Sequence, residues 1–264
     1  MNVHVYGNPC DMESIVSICE RHSLMLIEDC CEALGATYRG APVGSFGRAG
    51  TFSFYFSHHM TTLEGGMTIA RDKRDAELMR ILRAHGWIRE VEDRQPWIDR
   101  YPDIHPRFLF VNLGYNLRAT ELQGAMGLVQ LPKLSDYVKT RRENAEWLGR
   151  RLSNHADQLH CQTETPDGAH SWFGFPITIA ESAPFGVEDI MTSLGANGIE
   201  TRPIICGNIA RQPGLKMYPH RVHGDLRHAS AVMDRGFSFG NHQHIDDAAR
   251  AHIADSIDSF VKAN

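Results

Sequence analysis

Leu24-Met25-Leu26-Ile27 is an uninterrupted apolar run that follows a helix-like segment and ends in two adjacent carboxylates, Glu28 and Asp29. The preceding segment begins at Asp11, a residue suited to capping a helix, and places Met12, Ile15, Ile18 and Cys19 on one face. Apolar residues without polar alternation predict a strand covered on both faces, as in the parallel sheet of an α/β fold. Ligands of such sheets gather beyond the carboxyl ends of the strands, where Glu28 and Asp29 fall.

Helix and strand patterns go on alternating. A Gly/Pro-rich passage from Gly40 to Gly50 leads into an aromatic run, Thr51 to Phe56, which predicts a second strand with Ser57-His58-His59 at its end. Met67 to Ala70 predicts a third. Asp72 begins a helix carrying Leu78, Ile81 and Leu82, with Gly86 placed to stop it. Arg89 to Phe108 mixes Trp, Pro, Arg and Asp without a period and predicts an exposed loop. From Thr120 the pattern is helical as far as Leu152, and Pro132 should break it, which sets the expected boundary between a domain over 1–132 and a second over 133–264. In the second, a strand over Ser171 to Ile179, a helix over Val187 to Leu194 stopped by Gly198, and a final helix from Asp246 to Val261 predict a small α/β domain.

With 42% hydrophobic and 22% charged residues, 264 residues are enough to bury such cores. A net charge of -5, with no basic run interleaved with aromatics, argues against nucleic acid as a partner. No apolar run is long enough to cross a bilayer, and MNVHVYGNPCDMES lacks the basic-then-apolar pattern of a signal peptide, so no membrane is expected as a partner and a cytoplasmic location is expected. The six cysteines form no CxxC pair and read as free thiols. His220 with His223, and His242 with His244, lack the acidic partners of a metal motif; they read as surface residues, and no metal is expected.

Taken singly, Asp29, Ser53 and His58 are ambiguous, because caps and hydrogen-bonded surface residues are common at strand ends. Together, EDCCEALGATYRGAPVGSFGRAGTFSFYFSHHMTTLEGGM (Glu28 to Met67) resembles the core block of the DegT/DnrJ/StrS sugar aminotransferases. LGYNLRATELQGAMGLVQL (Leu113 to Leu131) resembles a second block of that family, and SWFGFPI (Ser171 to Ile177) with GN-x-x-RQP (Gly207 to Pro213) a third. The resemblance implies the fold type I architecture of pyridoxal-phosphate enzymes related to aspartate aminotransferase. Because it begins only at HVYGNP (His4 to Pro9), it also implies a truncated large domain, without the glycine/serine turn that grips the cofactor phosphate, followed by a small C-terminal α/β domain.

By the same resemblance, Asp29 pairs with the pyridinium nitrogen of pyridoxal 5′-phosphate or pyridoxamine 5′-phosphate, keeping the ring able to accept electrons. Ser53 binds the phosphate, Asn116 reaches the phosphate of a neighbouring subunit in a homodimer, and Glu32 stands where many members carry glutamine near the ring hydroxyl. His58 occupies the place of the lysine that tethers the cofactor, and no lysine precedes Lys73. An imidazole forms no imine, yet it moves protons near neutral pH. The paired histidines of SHHMTT resemble the family's 3-dehydratase branch, which acts on nucleotide-linked 4-keto-6-deoxy sugars such as GDP-4-keto-6-deoxymannose. That branch implies loss of the C3 hydroxyl, with His58 as the base and an amino donor such as glutamate. Ala84 to Asp103 contains no cysteine, which argues against the iron-sulfur variant of this chemistry. An aminotransferase and a non-catalytic partner subunit are the alternatives.

Overall fold

The computed structural model describes residues 1–264, which divide into two compact units. Met1–Val5 and Pro9–Leu134 form the first; Tyr6–Asn8 and Ser135–Asn264 form the second.

In the first unit, strand β1 (Asn2–Val3) is followed by helix α1 (Met12–Arg21). Asp11 caps α1 as its sequence suggests, its carboxylate accepting from the Ser14 N–H at 3.2 Å. Strand β2 (Ile27–Asp29) is shorter than the apolar run predicts and lies later. Leu24 and Met25 are 57% and 59% exposed in the irregular segment before it, while Leu26 packs with Met12 of α1 and Tyr38. A hairpin, β3 (Thr37–Tyr38) and β4 (Ala41–Pro42), leads to β5 (Ala49–Ser53), which begins and ends before the predicted Thr51 to Phe56; β6 (Gly66–Ala70) follows.

The main sheet has the order β1-β2-β5-β6. Its first three strands are parallel and β6 is antiparallel, so the sheet is mixed. Helix α2 (Lys73–Arg83) is capped by Asp72, and Gly86 beyond its end adopts φ +86°. The segment read as an exposed loop is instead built around helix α3 (Gln95–Arg100), and Ile88, Val91 and Leu109 are buried with Ile81, Trp97 and Ile98. Its apolar residues are spaced by turns rather than by a helical period, which hid the core from the pattern. Helix α4 (Glu121–Gln130) starts at a reciprocal cap between Thr120 and Gln123, and Pro132 lies in the 3₁₀ turn that ends it.

The second unit contains α5 (Leu134–Leu152), β7 (Leu159–Cys161), the short β8 (Gly168–Ala169), β9 (Gly174–Ile179), α6 (Val187–Ala196), β10 (Thr201–Pro203), α7 (Arg227–Arg235), β11 (Gly236–Gly240) and α8 (Asp247–Ala263). Strands β10-β11-β9-β7 pair antiparallel throughout. Phe175, Ile177, Phe237 and Phe239 of this sheet pack with Leu148, Ile190, Leu194 and Ile257 of the helices. Arg141 is buried, and one guanidinium nitrogen donates to the carbonyls of Trp172, Phe173 and Asn241. Burial pulls it down to about 10. No helix in either unit is long and apolar enough to cross a membrane.

Candidate active site

Successive residues of a strand point to opposite faces of its sheet, so Glu28 and Asp29 are divided by their position in β2. Glu28 pairs in register with Gly50, and the loop Gly44 to Gly47 lies over that face. The Glu28 carboxylate is fully buried and accepts from the N–H groups of Gly44 at 2.7 Å, Phe46 at 2.8 Å and Gly47 at 2.7 Å. The ring of His4 completes the set, its Nε2 lying 3.2 Å from Glu28 while its Nδ1 accepts from the Cys10 N–H at 3.0 Å. Burial raises the Glu28 carboxyl, but the hydrogen bonds from His4, Gly44 and Gly47 outweigh it and hold the group below the usual glutamate value. A Cβ on Gly50 would meet the Gly44 carbonyl oxygen at 2.5 Å, so the loop's close approach requires glycine there.

His4, Glu28 and Cys30 place donor atoms within 4.8 Å of one another, a cluster that the sequence did not suggest. Both Glu28 oxygens are committed to hydrogen bonds, which makes the cluster a fastening for the loop.

Asp29 faces the other way. It pairs in register with Thr51, and Ser53 lies two residues further along β5 on the same face. From the strand rise and spacing, the Cα atoms of Asp29 and Ser53 are about 8 Å apart. Asp29 is half-buried, and one of its oxygens accepts from the Cys31 N–H at 3.0 Å. Burial, then the hydrogen bond and charge of Asp29, push the Cys31 thiol up to about 12, so Cys31 stays protonated.

The turn after β5 returns His58 to this edge. The His58 N–H bonds the Tyr55 carbonyl at 3.0 Å, and His58 Nδ1 lies 2.9 Å from Ser53 Oγ. Tyr55 contributes a second contact, its N–H donating to the same Oγ at 3.2 Å, while its ring meets the His58 ring edge-on at 6.0 Å. The next residue, His59, is buried. Glu32 is half-buried in the segment leaving β2, three residues beyond Asp29.

Asn116 belongs to a different place. It forms an isolated bridge with Ala84, accepts from Arg118 Nε at 3.0 Å, and lines a groove of about 530 Å³ with Arg89, Glu90, Arg118, Ala119 and Thr120. The structure therefore brings Asp29, Ser53 and His58 to one sheet edge and sets Asn116 apart. The Ser53–His58 contact was missed by the sequence reading, although a serine and a histidine five residues apart across a tight turn are a signal for it.

Residues 1–258 match the DegT/DnrJ/EryC1/StrS aminotransferase family. This chain belongs to that family. A GDP-4-keto-6-deoxy-D-mannose 3-dehydratase from Yersinia pseudotuberculosis is 37% identical over 247 residues, covering 91% of this chain and 61% of the relative. Two solved structures of GDP-4-keto-6-deoxymannose 3-dehydratase are each 32% identical and match 98% of this chain and 66% of theirs. One, a histidine-to-asparagine variant with bound GDP-perosamine, superposes with a TM-score of 0.87. The other, holding a trapped geminal diamine of pyridoxal phosphate and glutamate, gives 0.83. The chain thus spans just under two thirds of the length of these relatives, and its fold is that of the family's pyridoxal-phosphate-dependent members.

Proposed function

We propose that this DegT/DnrJ/EryC1/StrS family chain serves a pyridoxamine-phosphate-dependent 3-dehydratase acting on a nucleotide-linked 4-keto-6-deoxy sugar, in the making of deoxysugars for surface polysaccharide. The observation that carries this reading is the contact of His58 with Ser53 on the sheet edge that also bears Asp29, and the resemblance is what assigns His58 to the lysine position. The donor set fits the cofactor: a half-buried carboxylate for a ring nitrogen and a hydroxyl for a phosphate, spaced along one face. Pyridoxamine phosphate supplies an amine that condenses with a ketone and a ring that takes up an electron pair. Asp29 would hold the ring nitrogen protonated, Ser53 would donate to the phosphate, and Glu32 would stand near the ring hydroxyl. His58 would act as the base for loss of the C3 hydroxyl, with glutamate as the amino donor. An aminotransferase would need an amine at position 58 to form an imine, and imidazole has none.

The same reading includes a homodimer. Leu113, Leu122 and Leu128, in and before α4, are 92%, 78% and 77% exposed, apolar side chains that a second copy, whose site Asn116 would help complete, could cover. All six cysteines are free, which fits the reducing cytoplasm where nucleotide sugars are made.

Incubation with pyridoxamine phosphate and GDP-4-keto-6-deoxymannose, with the sugar product read by mass spectrometry, tests the assignment. A product lacking the C3 oxygen is expected, with repeated turnover when glutamate is added. A 4-amino sugar retaining its C3 oxygen would establish the aminotransferase instead, and absence of any conversion would favour a non-catalytic subunit.

A further inference from the structure

A serine hydroxyl has one proton to donate and two lone pairs to accept with, and the surroundings of Ser53 constrain all three. The Tyr55 N–H, 3.2 Å from Oγ, takes one lone pair. His58 Nδ1, at 2.9 Å, meets either the hydroxyl proton or the second lone pair. Those two options leave His58 in opposite states. If Ser53 donates to Nδ1, a neutral imidazole carries its proton on Nε2 and offers no base there. If Ser53 accepts from Nδ1–H, the Nε2 lone pair is the base.

We propose that Ser53 is a positioning residue that sets the tautomer of His58, and that an anion bound at Ser53 switches it. This rests on the reading of Ser53 as a phosphate contact. The three unprotonated oxygens of a phosphate dianion accept and do not donate, so a phosphate that presents one of them draws the Ser53 proton to itself. The second lone pair of Oγ then faces Nδ1. The imidazole proton leaves Nε2 for water and another returns to Nδ1, with no net change in protonation. His58 thereby becomes a base at Nε2 only when the phosphate that anchors the reacting group is in place. Without it, Nε2–H is a donor, and stray proton abstraction is suppressed. The backbone bond from His58 N–H to the Tyr55 carbonyl closes the turn and holds the two side chains at this separation.

The tautomer is read directly from imidazole nitrogen and carbon resonances in protein carrying labelled histidine, in phosphate-free buffer above the imidazole titration range. His58 is picked out of the fifteen histidines by the signal missing in H58N. Inorganic phosphate, pyridoxamine phosphate and phosphate-free pyridoxamine are added in separate samples, and binding of the two pyridoxamines is followed by their own fluorescence. The expected result is a change of about fivefold in the tautomer ratio toward Nδ1–H with either phosphate, the worth of one net hydrogen bond, and none with pyridoxamine. S53A should leave the ratio indifferent to phosphate, and S53T should restore the response. A purely structural serine would move neither. Pyridoxamine phosphate that binds while the His58 tautomer stays unchanged overturns the coupling alone; failure of pyridoxamine phosphate to bind overturns the cofactor reading and the coupling with it.

Discussion

Glu28 and Asp29 are adjacent and identically charged, yet exchanging each for its amide should have opposite consequences. In E28Q the side-chain shape is kept, but one acceptor oxygen becomes an NH₂ donor. In wild type one oxygen serves Phe46 and Gly47 and the other serves Gly44 and His4. Whichever way the amide is turned, two buried donors lose their acceptor. Each such loss costs about 1–3 kcal/mol, so a destabilisation of roughly 2–6 kcal/mol is expected. For a chain of this size that lowers the melting temperature by roughly 5–15 °C. D29N removes a charge from a half-buried group, and an amide oxygen can still accept from the Cys31 N–H, so its cost should stay below about 1 kcal/mol. Pyridoxamine phosphate affinity should instead fall in D29N and persist in E28Q at temperatures where the fold is intact. Thermal unfolding, with hydrogen exchange of the Gly44, Phe46 and Gly47 amides as the local readout, separates the two. The Glu28 carboxyl titrates lower in the folded than in the unfolded chain, so its stabilisation is complete above the ordinary value of 4.5 and is lost as pH falls toward the folded value. That acid-sensitive part should be missing in E28Q. Unchanged exchange at the three amides in E28Q, or a collapse of stability in D29N, would refute the division of the two carboxylates between faces.

H58N should slow dehydration by about 10²–10⁴-fold, the usual worth of a positioned proton transfer, while cofactor affinity changes far less; single-turnover absorbance measures both. Borohydride treatment with pyridoxal phosphate should leave no cofactor on the Phe52 to Gly66 peptide in wild type, and mass spectrometry of that peptide checks it. Light scattering should report a dimer, with L122E together with L128E shifting it to monomer. R141L strands the carbonyls of Trp172, Phe173 and Asn241 and should cost about 2–4 kcal/mol in urea unfolding of the second unit.

The parts of this structure that were legible in the sequence are those whose cause lies within a turn of the chain. Asp11, Asp72 and Asp246 cap helices by accepting from N–H groups three residues on, so the cap and its partner are read together. Pro132 breaks a helix by its own covalent geometry. Strand limits were less legible because the run Leu24 to Ile27 is uniformly apolar and marks no point of entry into the sheet. Glu28 then extends the strand, because its charge is matched by N–H groups 16 to 19 residues later, a compensation no local pattern announces. Pairing in the second sheet is more distant still: β9 and β11 are some sixty residues apart, and alternation of helix and strand along the chain carries no information about their relative direction.

The site follows the same division. Motif resemblance proposes Asp29, Ser53 and His58 singly, whereas their relation comes from register. Asp29 opposite Thr51 fixes the face, and the two-residue step to Ser53 keeps it. A slip of one residue between β2 and β5 would send Ser53 and His58 to the Glu28 side, beneath the Gly44 to Gly47 loop. Glu28 itself opposes that slip, since it satisfies three loop amides only when it faces Gly50. The buried carboxylate therefore acts on the candidate chemistry without touching it: by fixing the register, it holds its neighbour Asp29 on the same face as Ser53 and His58.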